Sequence, residues 1–386
     1  PTVRITTDAG IDGFGQAERA KPYLKPYVLF YRKYLLGEDP RDVERCMLKI
    51  RRMGGFKPWG SAVSAIEMAL WDIAGKAAGQ PVYRLLGGKV RDRVRVYLTG
   101  SRAEYGTPDS SPESYAAGVR AAVEDPGGFR IVKRGVAFHS KMPFDVPEFT
   151  YGDPKGGSPH PNRGLMTPEG FEHTMRCVEA MVDEIDGRAA LALDCGPGWT
   201  VPDAIRFGRA LERFGKKIIW MEDLLSGDYT PGSTAADYRE VTHATTTPTH
   251  TGEQIYLRQG FQELIESGAV RVIGPDPLDI GGLAELKWVA EYADLHGILF
   301  APHGTGDGLI GLAGLVQVAA VLPDNYIAFE FPRGESEWWP EIVDGLPDPV
   351  VGDGHIRVWD APGLGVTLNP EKAKPYLKAE DADFFE

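Results

Sequence analysis

Three acidic residues close short apolar segments of the chain. Asp194 ends ALALD, Glu222 ends KIIWME and Glu253 ends PTHTGE, at intervals of about thirty residues. In a parallel barrel the carboxyl ends of successive strands meet at one rim, so these side chains are expected to converge. Carboxylates about 4 Å apart repel by about 4 kcal/mol at an effective dielectric constant of about 20. A divalent cation bound between them would remove this repulsion. Oxygen ligands favour Mg²⁺, with Mn²⁺ as second choice, over Zn²⁺. The alternative is that the acids are solvated or paired with loop arginines.

A histidine and a fourth acid follow the ends of two further apolar segments. Asp276 lies in VIGPDPLDIGG and His303 in APHGTGDG. A carboxylate on one imidazole nitrogen sets the tautomer and raises the basicity of the ring, so the other nitrogen can take or give a proton. The two residues therefore predict a His-Asp dyad at the rim. In the other interpretation, His303 satisfies a backbone carbonyl and Asp276 caps the following helix.

Charged residues also close two more segments. Lys133 and Arg134 end FRIVKR, and one of them is expected to bind a substrate carboxylate opposite the metal. Glu330 lies in FEFP and would donate a hydrogen bond if it were protonated. Each of these residues is equally compatible with an ordinary salt bridge.

The segments that carry these residues alternate with amphipathic ones from about Val94 onward. The stretches between them, from SPESYAAGVRAAVE to LAELKWVAEYADLHG, have Ser, Thr or Pro near their starts and apolar residues at three- and four-residue spacing, which predicts helices. The fold class is therefore α/β, a TIM-type (β/α) barrel of seven or eight units over residues 94–337. The eight candidate strands are VRVYL, FRIVKR, ALALD, KIIWME, PTHTGE, VRVIGPD, GILFAPH and YIAFEF.

The rest of the chain predicts a second, smaller domain. Residues 1–93 alternate apolar and polar positions around DAGIDG and then become helical, which indicates an N-terminal α+β capping domain. Residues 338–386 are rich in turns and are predicted to return to that domain. The irregular stretch from Ala137 to Met166 is predicted to be a lid or an oligomer contact.

Composition limits the function classes. The 386 residues are 42% hydrophobic, enough for a barrel of about 250 residues and a smaller domain. A net charge of -13 argues against nucleic acid and anionic membranes as partners, but not against a small anionic substrate in a locally positive cleft. Cys46, Cys177 and Cys195 show no disulfide or zinc spacing. With no membrane-length apolar run and no signal peptide pattern, a cytoplasmic location is expected.

Taken together, the motifs resemble the enolase superfamily, in particular its mandelate racemase branch. The resemblance runs from about Val3 to the end of the chain, and its motifs are SAVSAIEMALWDIAGKAAGQPVYRLLGG before the barrel and GFRIVKR, LALDCGPGW, IIWMED, TGEQIY, IGPDPLDIGG and APHGTG at the strand ends. It implies that three acids bind Mg²⁺, that the metal and a cation hold the substrate carboxylate, and that a base removes the neighbouring proton to give an enediolate. It also implies a strand before PTVRITTDAG, so the chain is expected to begin inside the first domain. Association into homo-oligomers is implied as well.

The resemblance assigns roles to individual residues. It implies that Asp194, Glu222 and Glu253 are the metal ligands and that Asp276 and His303 form the dyad.

The assignment is incomplete on the second strand. Lys133 matches the first lysine of the family's Lys-x-Lys motif, but Gly135 stands where the second lysine, a base, is usual. Glu330 matches the acid that donates a hydrogen bond to the substrate carboxylate. Racemisation needs a base on each face of the enediolate, and His139 and Lys133 are the candidates for a second one.

One base suffices for dehydration, because an imidazole that has taken the proton can return it to the departing hydroxyl on the same face. DCGPGW and PGLGVTLNP are similar to the sugar-acid dehydratases of this family, the rhamnonate dehydratases most of all. The expected activity is Mg²⁺-dependent dehydration of an aldonate or aldarate, through a metal-stabilised enediolate, to a 2-keto-3-deoxy acid. The alternatives are a racemase, epimerase or cycloisomerase acting on a carboxylate substrate and, more remotely, a non-catalytic binding member of the family.

Overall fold

The chain begins with an antiparallel hairpin that packs on a long helix. In the computed structural model, strand β1 spans Thr2–Thr6 and β2 spans Asp12–Gln16. The helices that follow are α1 Leu24–Leu35, α2 Val43–Ile50, α3 Gly60–Ala78 and α4 Val82–Leu85. The structure describes residues 1–17, 23–53, 60–99, 110–151, 166–225, 234–304, 308–332 and 339–386.

The glycines of DGFGQ explain how closely the hairpin and α3 approach. A Cβ atom on Gly15 would lie 1.8 Å from the carbonyl oxygen of Ala65, and one on Gly13 would lie 2.1 Å from that of Ala69. Only glycine leaves room for this contact between backbones.

In the described residues, eight parallel strands form the barrel. They follow one another in the sheet in the order β10-β3-β4-β5-β6-β7-β8-β9, and a parallel bridge from Phe300 to Tyr326 joins the two ends. The expected barrel is confirmed. Its strands are β3 Arg93–Thr99, β4 Ile131–Gly135, β5 Ala190–Asp194, β6 Ile218–Glu222, β7 Thr249–Thr251, β8 Val272–Ile273, β9 Leu299–Phe300 and β10 Phe329–Pro332.

Helices cover the outside of the barrel, and several begin where the sequence places a capping residue. Side-chain oxygens of Ser111, Thr167, Thr200 and Thr234 accept from backbone N–H groups in the first turns of their helices. The helices are α5 Pro112–Val123, α6 Met142–Asp145, α7 Pro168–Ile185, α8 Val201–Leu211, α9 Ala235–Ala244, α10 Leu257–Glu266, α11 Leu283–Leu295 and α12 Leu309–Ala319.

The C-terminal tail contacts both the barrel and the first domain. Its elements are α13 Trp339–Ile342, β11 Val343–Asp344, β12 His355–Arg357, β13 Thr367–Leu368 and α14 Pro370–Ala373. β12 pairs antiparallel with β3, while Val82 N donates to Gly363 O at 2.9 Å and Arg4 Nη1 donates to Phe384 O at 2.9 Å. The tail thus contacts the N-terminal domain, and it also extends the barrel sheet.

The irregular stretch after β4 is partly described. It contains a 3₁₀ turn at Ala137–His139 and α6, and its ends meet where Thr150 bridges Met166. Residues 152–165 lie outside the described residues, so the choice between lid and oligomer contact stays a prediction. Among the helices the structure describes, none is long and apolar enough to cross a membrane.

Candidate active site

The rim at the carboxyl ends of the strands collects the acidic residues. Asp194 and Glu222 are paired in register as the last residues of β5 and β6, and Glu253 lies just beyond β7. Carboxylate oxygens of Glu222, Glu253 and Asp223 lie within 4.8 Å of one another. Three acids so close together in a buried site require a compensating cation.

Asp223 is an acid that the sequence analysis missed. It follows Glu222 with a positive φ of 47° and is 3% exposed. Its Oδ1 accepts a hydrogen bond from Thr251 Oγ1 at 2.7 Å. The second acid of IIWMED was the available signal, but strand alternation predicts that it points away from its neighbour. The left-handed backbone at Asp223 changes that direction.

Lys133 lies among the rim carboxylates. Its Nζ is 2.9 Å from Glu222 Oε1, 3.1 Å from Glu330 Oε1 and 3.4 Å from Asp194 Oδ2. Burial opposes the ammonium charge, but the Glu222 and Glu330 carboxylates outweigh it and raise the pKa of Lys133 well above its usual value. In this arrangement the side chain is a cation.

Arg134 points to the other side of the barrel wall. Its guanidinium lies 5.5 Å from the ring centroid of Tyr115, and a Cβ on Gly118 of α5 would be 2.7 Å from its Nη1. Burial among these groups lowers the pKa of Arg134 to about 10. Because successive strand residues face opposite sides, Lys133 is the one of the two that reaches the rim.

His303 and Asp276 form the expected pair. His303 Nδ1 lies 2.5 Å from Asp276 Oδ2, and Leu278 N donates to the other oxygen, Asp276 Oδ1, at 2.5 Å. Burial opposes a charge on His303, but the carboxylates of Glu253 and Glu330 and the contact with Asp276 raise the pKa of the imidazole well above its usual value. Burial raises the pKa of Asp276 to about 6, against the opposing effect of His303. The ring is therefore oriented by Asp276, and its Nε2 faces the rim.

Glu330 connects the lysine and the histidine. One carboxylate oxygen lies 3.1 Å from Lys133 Nζ and the other lies 3.3 Å from His303 Nε2. Burial raises the pKa of Glu330, but Lys133 and His303 outweigh it and hold that pKa below its usual value. The carboxylate is ionised in this arrangement, so hydrogen-bond donation by Glu330 stays a prediction.

His139 occupies space that two glycines leave open. Its Nδ1 lies 3.3 Å from Asp194 Oδ1, and the side chain is 40% exposed. A Cβ on Gly135 would be 2.5 Å from His139 O, and one on Gly196 would be 2.7 Å from His139 Cβ. The position of the second lysine is therefore filled by a loop imidazole next to Asp194. Burial raises the pKa of Asp194, while His139 and Lys133 lower it.

Two aromatic side chains support Glu222 from inside the barrel. Trp220 Nε1 donates to Glu222 Oε2 at 2.9 Å, and the His250 ring stacks on Trp220 at a centroid distance of 5.0 Å. His250 Nδ1 is 3.6 Å from the same oxygen, and its Nε2 lies 3.1 Å from Ala301 O. Trp220 and Glu222 lie two residues apart on β6 and share a face of that strand, whereas the contacts of His250 join neighbouring strands and follow from no motif.

The donor set fits a divalent cation. The sequence-predicted residues Asp194, Glu222, Glu253, Asp276, His303, Lys133 and Glu330 all lie at this rim, together with Asp223. Six of these are acids and two are cationic, and the donors at the tightest cluster are carboxylate oxygens, which suit Mg²⁺. The assignment of Asp194, Glu222 and Glu253 as ligands stays a prediction, because Asp194 here pairs with Lys133 and His139.

A capping domain over a parallel barrel with acids at its carboxyl rim is the architecture of the enolase superfamily. Residues 1–87 match the family described as mandelate racemase / muconate lactonizing enzyme, N-terminal domain, and residues 116–373 match the enolase C-terminal domain-like family. The chain therefore belongs to the mandelate racemase branch of the enolase superfamily.

Known relatives span nearly the whole chain. A D-xylonate dehydratase of Haloferax volcanii is 32% identical over 97% of this chain and 84% of its own length. A D-galactarolactone cycloisomerase of Agrobacterium fabrum is 29% identical over 95% of this chain and 88% of its own. The crystal structure of a mandelate racemase/muconate lactonizing enzyme-like protein from Rubrobacter xylanophilus has a TM-score of 0.82 and 32% identity, covering 98% of this chain and 94% of that one.

Proposed function

We propose that the chain is a Mg²⁺-dependent dehydratase of an acid sugar, an aldonate or an aldarate. The enzyme is a lyase that eliminates water. The observation that carries the proposal is the contact of 2.5 Å between His303 Nδ1 and Asp276 Oδ2 at the acidic rim, with Gly135 where a second base would stand. Within the described part of the chain, His303 is the base that a carboxylate orients at 2.5 Å, and it lies on one side of the site.

His303 performs both proton transfers. Its Nε2 takes the proton from the carbon beside the substrate carboxylate, and the electron pair of that C–H bond forms a double bond to the next carbon. The C–O bond on that next carbon breaks, and the imidazolium returns the proton to the departing hydroxide, which leaves as water. The resulting enol tautomerises to the 2-keto-3-deoxy acid. Asp276 keeps the proton on Nδ1, so that Nε2 is the acceptor.

Lys133 and Glu330 orient the substrate carboxylate. Lys133 supplies a fixed positive charge where negative charge grows as the proton leaves. Glu330 holds that ammonium at 3.1 Å and lies 3.3 Å from His303 Nε2, which places cation and base next to each other. Asp194, Glu222 and Glu253 would hold Mg²⁺. When bound, the ion would act as a Lewis acid on the substrate carboxylate and would take up charge of Glu253 that otherwise raises the pKa of His303.

Dehydration is also supported by the named activity of the Haloferax volcanii relative, whose substrate is an aldonate. The similarity of DCGPGW and PGLGVTLNP to rhamnonate dehydratases concerns short motifs, so the particular sugar stays open to experiment.

A cycloisomerase or another carboxylate isomerase is the second candidate. His139 favours it, because its imidazole lies 3.3 Å from Asp194 on the side of β4 and could serve a second face of the substrate. The Agrobacterium fabrum relative carries the name of such an activity. An isomerase product has the mass of its substrate, whereas a dehydratase product is lighter by one water.

The test is a screen of monoacid and diacid sugars with Mg²⁺. Formation of a 2-keto acid is followed by semicarbazide absorbance and the product mass is measured. A dehydratase gives absorbance with at least one sugar acid, a mass lower by one water, and loss of both signals in His303→Asn.

His296→Asn is the matched control, since His296 is an exposed histidine at the end of α11 whose Nδ1 lies 3.0 Å from Tyr292 O. It should retain the activity. A product of unchanged mass would favour the isomerase. Failure of the purified protein to bind Mg²⁺ in calorimetry, together with silence in the screen, would favour a non-catalytic member.

A further inference from the structure

One face of α3 contacts the loop that carries Asp276. Ser61, Ser64 and Glu67 are all fully buried and lie three residues apart, so they share a face of the helix. Ser61 Oγ donates to Asp279 Oδ1, and Ser64 Oγ accepts from Gly281 N at 2.9 Å. These contacts join the N-terminal domain to the segment between β8 and α11, more than two hundred residues later in the chain.

Glu67 makes the most extensive of these contacts. Its Oε2 accepts from Leu283 N at 2.7 Å, and its Oε1 accepts from Ala284 N at 2.9 Å and from Trp71 Nε1 at 2.8 Å. The residue before this helix, Gly282, has no side chain that could cap α11, so a carboxylate from another domain satisfies its first N–H groups. A Cβ on Gly282 would lie 2.2 Å from Glu67 Cδ, which shows how closely the loop is held.

The same loop determines where Asp276 points. Asp279 N and Ile280 N donate to Asp276 O at 3.0 and 2.8 Å, and Leu278 N donates to Asp276 Oδ1 at 2.5 Å. Asp276 Oδ2 then contacts His303 Nδ1. A continuous set of hydrogen bonds therefore leads from α3 through the loop to the imidazole.

We infer that Glu67, assisted by Ser61 and Ser64, is a positioning residue that holds the β8–α11 loop so that Asp276 orients His303. The expected effect on kcat rests on the proposed dehydratase function, whereas the orientation of His303 by Asp276 is a property of the protein without substrate. A displacement of about 1 Å in an oriented group can cost about 10²-fold in rate. Loosening the loop therefore lowers kcat without removing any group that touches the substrate.

Asp72 provides a matched control on the same helix. Like Glu67 it is fully buried, and it accepts from two backbone N–H groups, Phe14 N at 3.0 Å and Leu364 N at 2.9 Å, and from Lys76 Nζ at 2.7 Å. Its backbone partners belong to β2 and the C-terminal tail and not to the β8–α11 loop. Glu67→Gln and Asp72→Asn each replace one accepting oxygen by an NH₂ group and leave a backbone donor unpaired.

The experiment compares these two variants by stability, kinetics and NMR. Both should lower the denaturation midpoint. Glu67→Gln should lower kcat by about tenfold or more while changing KM by less than about threefold, and Asp72→Asn should leave kcat within about twofold of the wild type. In protein labelled with ¹⁵N-histidine, the Nδ1 proton of His303, assigned by its loss in His303→Asn, should shift or broaden in Glu67→Gln and not in Asp72→Asn.

An unchanged His303 signal and unchanged kcat in Glu67→Gln would overturn the inference, and so would equal effects of the two variants. If Glu67→Gln does not fold, Ser64→Ala is the second variant, which removes the acceptor for Gly281 N and the donor to Gly60 O within α3. It should give the same changes in kcat and in the His303 signal at smaller size, and its failure to do so is also contrary evidence. If the wild type yields no 2-keto acid, the proposed function fails, while the NMR comparison still decides whether Glu67 positions His303.

Discussion

The two sides of the barrel mouth are built differently. On the side of β8 and β9, His303 is oriented by Asp276, whose own carboxylate accepts from Leu278 N. On the side of β4, Lys133 is surrounded by carboxylates of three other strands, which favour its charged form. β4 and β8 are four strands apart in the ring, and the Glu330 carboxylate links the two arrangements, since it lies 3.1 Å from Lys133 Nζ and 3.3 Å from His303 Nε2.

This difference assigns proton transfer to the side of β8 and β9, and binding of the negatively charged substrate carboxylate to the side of β4. A histidine with one nitrogen held and one nitrogen facing the rim can change its protonation during a reaction. A lysine held by three carboxylates cannot do so without leaving buried negative charges unpaired. On the β4 side Gly135 stands where a second lysine is usual, and the side chain of His139 is 40% exposed, which favours elimination from a single face.

The largest expected effect is that of His303→Asn. Removing the base that Asp276 orients should lower kcat/KM by about 10⁴-fold. The measurement is the rate of 2-keto acid formation, with exchange of the proton beside the carboxylate in D₂O as a second readout. If exchange persists at the wild-type rate, the base lies on the β4 side, and the proposed difference between the two sides of the barrel mouth is wrong.

Asp276→Asn should have the next largest effect, about 10³-fold in kcat. The amide would donate to Nδ1, so the ring proton would move to Nε2, which could then no longer accept the substrate proton. Steady-state kinetics measure the change, and a crystal structure of the variant should show an unmoved ring. A loss below tenfold would mean that Asp276 only caps the loop.

Lys133→Met tests the charge-binding side. It should lower kcat/KM by about 10²-fold and reduce the unfolding free energy by about 3–5 kcal/mol, because three buried carboxylates lose their cation. Urea denaturation measures the stability, and added Mg²⁺ should restore part of it. Lys89→Met is the control: Lys89 pairs with Asp92 at 3.2 Å and Asp360 at 3.3 Å at the surface, so the change should be about 0–1 kcal/mol.

His139→Asn should have the smallest effect, less than about tenfold in kcat/KM, because His139 is not the proton acceptor in a single-face elimination. Kinetics with the best sugar acid from the screen measure it. A loss above 10²-fold, or selective loss of exchange for one configuration at the carbon beside the carboxylate, would show two working sides and would favour the isomerase.

The sequence was most informative where a local pattern carries the physics. ALALD predicts β5 with the bounds that the structure shows, because a buried parallel strand is a short apolar run closed by a polar residue. The strands β7 to β9 have only two or three paired residues, although PTHTGE, VRVIGPD and GILFAPH are twice that length or more. The number of residues that pair in a strand depends also on the neighbouring strand, and the sequence of one segment does not contain that neighbour.

The same distinction between local sequence pattern and tertiary contact applies to the site. The residue types at the strand ends predicted an acidic rim with one histidine and one lysine, since parallel strands bring their carboxyl ends to one edge. The inward turn of Asp223, the contact of His250 with Glu222, and the choice of Lys133 over Arg134 were not predictable from motifs. Each depends on a backbone angle or on a neighbour from another strand.

By itself, then, the sequence determined the kind of molecule and most of the groups at its rim, because strand periodicity and strand-end chemistry are properties of short segments. Only the tertiary structure decided which groups pair. Glu67 and Leu283 are 216 residues apart, and Lys133 and Glu222 are 89 apart, yet both pairs lie within hydrogen-bond distance. Such contacts arise when the barrel closes and the N-terminal domain packs on it, and they set the charge on Lys133 and the orientation of His303.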